Sequence, residues 1–95
     1  SDLDDAERKK QQRAKEALQK RIADLESRIA EREQLVKDLE AAMADPAFYT
    51  DPEASKATIA KHQTLMWEVG DLMAQWEALQ EHAAEGAASP GGSDS

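Results

Sequence analysis

The chain has no cysteine, which excludes a disulfide framework and any thiolate metal site. Its four glycines are Gly70, Gly86, Gly91 and Gly92. None opens a G-x-x-x-x-G-K sequence, so there is no phosphate loop and no basis for ATP hydrolysis by this stretch. Aromatic residues make up only 4% of the chain, too few for a thick globular core. No apolar run approaches the roughly 20 residues that cross a bilayer, and no signal-peptide pattern opens the chain. His62 and His82 share no ligand spacing, so no metal site is expected. The many carboxylates belong to solvated helix faces, and paired acid/base work would need a pocket that two helices do not make. No catalytic residue is assigned, and the chain is expected not to be an enzyme.

Proline is also scarce, and its placement organises everything else. Two of the three prolines fall in Asp45-Pro46-Ala47-Phe48-Tyr49-Thr50-Asp51-Pro52-Glu53, each directly after an aspartate. Proline suits a first helical turn with Asp as the cap before it, and breaks a helix elsewhere. The stretch therefore predicts a corner between two helices. Thr50-x-x-Glu53 is a possible capping box there, with Asp51 as the competing cap. Phe48 and Tyr49 are expected to fold back over the arm ends.

Before the corner, Leu18, Ile22, Leu25, Ile29, Arg32, Val36, Leu39 and Met43 follow at alternating steps of four and three. That is a heptad seam with one polar member. Upstream of Leu18 it fades, with Lys15 and Gln11 in the continuing positions. After the corner, Thr58, His62, Leu65, Val69, Leu72, Trp76 and Leu79 repeat the pattern. Two such seams on a short corner bury each other only by lying antiparallel. The predicted fold is all-α, a two-helix antiparallel coiled-coil hairpin with disordered termini. Its parts are a flexible lead over 1–7, a hairpin over 8–81 and a disordered tail over 82–95. Within the hairpin, one helix spans about 8–44, the corner 45–51 and the second helix about 52–81. The register is open by one turn, with Arg32 opposite Val69 or His62. Trp76 points inward. Trp67 points outward, either lying along its arm under lysine or glutamine stems or serving as a docking contact.

Formal net charge is -8, but it is unevenly spread. Arg8, Lys9, Lys10, Arg13, Lys15, Lys20 and Arg21 stand against the one acid Glu16 between positions 8 and 21, a local +6 that leaves -14 elsewhere. Closely spaced cations without interleaved aromatics suit a phosphate backbone rather than base reading. These seven are the candidate nucleic-acid-binding residues. The competing reading is a solubilising helix end.

The basic lead, then QKRIADLESRIAEREQLVKDLEAAMADPAFYTDPE, then a second arm ending AQWEALQ, resembles the C-terminal coiled-coil domain of ABC-F ATP-binding proteins of the Uup type. The resemblance runs from about Arg8 to Gln80. It rests on Arg21-Ile22, the Asp45-Pro46-Ala47-Phe48-Tyr49 corner and Trp76-Glu77-Ala78-Leu79. It implies a cytoplasmic parent protein with two ATP-binding cassettes and no membrane span, linked to ribosomes and translation. ATP and magnesium would belong to those cassettes, with no cofactor in this stretch. The implied role is a non-catalytic appendage that contacts DNA or ribosomal RNA through the basic lead. The alternative is a structural or protein-interaction coiled coil that docks on the cassettes of the same parent chain or self-associates. Trp67, Gly70 and the acidic second arm depart from the family pattern.

Overall fold

The computed structural model describes the backbone of residues 1–92 and the side chains of 1–86. Two long helices, α1 (Asp2–Met43) and α2 (Pro52–Gly92), are joined by a 3₁₀ turn over Pro46–Thr50. They pack antiparallel as a hairpin with extents of 72 × 28 × 15 Å. The expected all-α architecture is therefore the observed one.

The corner follows from its two Asp-Pro steps. A proline disfavours helical backbone in the residue before it. Asp45 has φ -76° and ψ 126°, and Asp51 has φ -119° and ψ 98°, both extended. Asp45 ends α1 and accepts a hydrogen bond from the Ala47 N–H at 3.0 Å, which starts the 3₁₀ turn on Pro46. Asp51 accepts from the Ala54 N–H at 3.2 Å and caps α2 ahead of Pro52. The cap is thus Asp51 and not Thr50, whose hydroxyl donates back to the Ala47 carbonyl at 2.8 Å. Phe48 is half-buried, but Tyr49 is 61% exposed, so only the first ring covers the arms. The two rings meet edge-on with centroids 4.9 Å apart.

The seams form the interface. Leu25, Val36, Leu65, Val69 and Leu72 are buried, and Leu18, Ile22, Ile29, Arg32, Leu39 and Met43 are half-buried. On α2, Thr58, His62, Trp76 and Leu79 are half-buried as well. Ser55, missed by an apolar pattern, is buried with its hydroxyl donating to the Pro52 carbonyl at 3.1 Å. The register is set at one of the two expected choices. Arg32 Nε donates to Glu68 Oε2 at 2.7 Å, which places Arg32 level with Val69 and not with His62. His62 Nε2 lies 3.0 Å from Glu40 Oε2, and Trp76 Nε1 donates to Glu26 Oε2 at 3.1 Å. Each step up α1 is matched by an equal step down α2.

Both helices outrun the expected bounds. The lead over 1–7 is not frayed: α1 begins at Asp2, and Ser1 Oγ accepts from the Asp4 N–H at 3.4 Å. Asp2, Asp4 and Asp5 in the first turn complement the positive end of the helix dipole. At the other end α2 continues past Gln80 to Gly92, where an unstructured tail was expected from His82. Ala83 extends the seam four residues beyond Leu79, and alanine is the best helix former. The last part of the expected tail, 93–95, lies outside the described residues.

Candidate nucleic-acid interface

The basic lead occupies the first half of α1, with five of its seven cations upstream of the last seam residue, Leu18, and Lys20 and Arg21 just past it. Every residue from Ser1 to Ala17 is exposed, and Leu18 is the first half-buried position. The hydrophobic pairing therefore stops where the sequence pattern stops. Arg8, Lys9, Lys10, Arg13, Lys15, Lys20 and Arg21 are all exposed on this single helix. The run Arg13-Ala-Lys-Glu-Ala-Leu-Gln-Lys consists of good helix formers, so a regular helix carries the charges without strain.

Helical geometry divides the seven. At about 100° per residue, Lys9, Arg13 and Lys20 fall within about 40° of one another, with Lys10 and Arg21 beside them. Lys9, Arg13 and Lys20 face away from the seam, and Lys10 and Arg21 lie on one flank of it. Arg8 and Lys15 lie on the other flank of the seam. Arg8 is also engaged, forming an ion pair with Asp5. Among the described residues, Lys9, Lys10, Arg13, Lys15, Lys20 and Arg21 have no ion-pair partner. Unpaired exposed cations keep their full charge for an outside anion.

The cationic face has definite limits. On its corner side, Asp24, Glu31 and Asp38 take over the outward surface of α1, and Arg28, which continues the line of Lys10 and Arg21, pairs with Asp24 at 3.3 Å. On its other side stand the first-turn acids. From Lys9 to Arg21 the free face is about 18 Å long. Arg28 falls outside the cation cluster of residues 8–21, and only the helical phase places it on this line.

A second surface feature lies on α2. An open groove is lined by His62, Gln63, Met66, Trp67, Gly70 and Asp71. Trp67 is 81% exposed there, which rules out the reading in which neighbouring stems cover it. Trp76 is turned inward as expected, though half-buried rather than enclosed. No group of acids and histidines that could hold a metal occurs among the described residues, and no helix is long and apolar enough to cross a membrane.

The family model described as ABC transporter C-terminal domain matches residues 6–81. No curated protein and no solved structure matches the chain. The match spans the basic lead, both seams and the corner. The chain belongs to the ABC transporter C-terminal domain family, and as such a domain it is not itself the catalytic part of an ABC protein.

Proposed function

We propose that this domain is a nucleic-acid-contacting appendage of a cytoplasmic ABC-F ATPase of the Uup type, with the outward face of α1 as its contact surface. One observation carries the reading: six exposed cations that have no ion-pair partner among the described residues crowd onto α1 around and beyond the end of its hydrophobic seam. Lys9, Lys10, Arg13, Lys20 and Arg21 hold a DNA or ribosomal RNA backbone by charge alone, since no aromatic is interleaved for stacking. Arg8 and Lys15 assist from the flank. ATP and magnesium belong to the cassettes of the parent protein, which act in cis with this domain.

The test is a salt-dependent titration of labelled DNA and RNA. Five phosphate contacts give a slope of about -4 to -5 in log affinity against log salt on duplex DNA, a loss of several hundred-fold between 50 and 200 mM. Arg13→Glu with Lys20→Glu removes two contacts, flattens the slope by about two units and abolishes binding at moderate salt. Both positions are exposed, so circular dichroism should show full helicity. Unchanged affinity in the double variant, or no binding by the natural sequence at low salt, would refute the reading in favour of a domain that only docks on its cassettes.

A further inference from the structure

We infer that the outer face of α2 pairs with the same face of a second copy of this chain, antiparallel, with Trp67 of each copy seated over Gly70 of the other. A two-fold contact requires a patch complementary to itself: whatever residue i touches, its copy must touch i in return. Trp67 and Gly70 are one helical turn apart on the exposed side of α2, so an antiparallel pairing brings each against the other twice. Trp67 is an 81% exposed ring, and Gly70 presents no side chain in the open surface opposite it that would hold the ring off the backbone. Met66, 50% exposed, adds apolar area beside the ring.

Charge fixes the orientation. With Trp67 over Gly70, the same register sets Lys56 against Glu81 and Ala60 against Glu77. Lys56 and Glu81 are both exposed, and neither has an ion-pair partner among the described residues. On this outer face Lys56 lies toward the corner end beside Glu53, while Asp71, Glu77, Glu81 and Glu85 lie toward the open end. Antiparallel copies place each Lys56 against the other copy's Glu81; parallel copies in register would place Lys56 against Lys56 and Glu81 against Glu81. The acids nearest the centre are already engaged, Glu68 by Arg32 at 2.7 Å and Asp71 by the Gln75 amide at 3.0 Å. This surface is separate from the cations of α1, so it stands or falls independently of nucleic-acid binding.

The association is measured by sedimentation equilibrium over a wide concentration range. The natural chain should pass from monomer to dimer. Trp67→Ala should weaken dimerisation about tenfold or more, as loss of a central aromatic does. Gly70→Leu should do the same by placing a side chain where the ring would lie, while raising the helicity and thermal stability of the monomer, since leucine is the better helix former. That opposite response separates a lost interface from a lost fold. Orientation is read by cross-linking, which the absence of cysteine makes clean. Ala60→Cys chains mixed with Glu77→Cys chains should link through a short thiol reagent. Neither should link with itself, because like positions lie about 26 Å apart. A chain that stays monomeric throughout, Ala60→Cys linking to itself, or a dimer indifferent to Trp67→Ala and Gly70→Leu would overturn the inference. Weakened nucleic-acid binding by Trp67→Ala in a chain that never dimerises would also overturn it, assigning the ring to nucleic acid.

Discussion

Replacing Trp76 is the most direct probe of how the hairpin is held. Trp76 sits on the inner seam toward the open end, level with Leu25, where no corner ties the arms together. Its ring is half-buried and its indole N–H donates to Glu26 Oε2 at 3.1 Å. Truncating an enclosed aromatic to alanine costs about 3–5 kcal/mol. Because one side of this ring is open to water, the cost scales down to about 2–3 kcal/mol. Each 1 kcal/mol shifts the midpoint of a domain this size by about 4–8 °C, so Trp76→Ala should lower it by about 10–20 °C. Trp76→Phe keeps most of the apolar contact and removes only the N–H. Glu26 is exposed and water can replace the lost donor, so that change should cost no more than about 1 kcal/mol. Trp67→Ala, at a dilution where the chain is monomeric, should stay within about 0.5 kcal/mol, as surface changes do. Urea and thermal melts followed at 222 nm give the three values. Equal losses at Trp76 and Trp67, or a larger loss at Trp67, would refute the assignment of the inner face.

Two further outcomes follow from the corner and the seam. Asp51→Ala should destabilise α2 by about 1 kcal/mol through loss of its cap, whereas Thr50→Ala should change little, and the same melts would expose the reverse order. Arg32→Leu should stabilise the hairpin by about 1 kcal/mol, because a seam position gains apolar contact while the released Glu68 can turn to solvent. A loss of more than about 1 kcal/mol in denaturant titration would mean that the Arg32–Glu68 pair stabilises the fold on balance.

The architecture was legible because its signals are periodic and local. Two heptad seams and two Asp-Pro steps each admit one arrangement: seams that face each other, and helices that stop and restart at Asp45 and Asp51. What was not legible depended on competition between similar groups. Thr50 and Asp51 are both good caps, and the choice fell to Asp51 only because the Thr50 hydroxyl found the Ala47 carbonyl. The acids of the first turn read as a solvated lead in composition, yet at a helix start they are stabilising and Ser1 caps them. Trp76, Ile29 and Leu39 lie on the seam but are only half-buried, since a two-helix hairpin has no second layer to close over its flanks. For the cationic face, residue types were visible in the sequence, but which of them share a side required the helical phase. That phase sets Lys9, Arg13 and Lys20 outward, puts Lys10 and Arg21 on one flank with Arg28, and puts Arg8 and Lys15 on the other.

The phase also bears on how a chain of net charge -8 can attract a polyanion. The register is held by the corner: sliding the arms by one heptad would draw residues from α1 and α2 into the connection and uncap both ends. So the lead always lies level with the acidic end of α2, around Glu77, Glu81 and Glu85. These acids would cancel the lead if they could reach it, but among the described residues no lead cation pairs with α2. Lys9, Arg13 and Lys20 point to the far side of α1, beyond a helix-to-helix spacing of about 8–10 Å plus the length of their own side chains. The Debye length at physiological salt is about 8 Å. Charges on the outer faces of the two arms therefore lie more than one screening length apart, and an anion approaching α1 meets the local +6 rather than the total of -8. At 0.01 M the screening length grows to about 30 Å and the acids of α2 are felt more, but the direct phosphate contacts strengthen more steeply, so binding still rises as salt falls. The lead therefore acts on an approaching anion through its local charge at ordinary ionic strength, where the second arm is screened, while its direct phosphate contacts weaken steadily as salt rises.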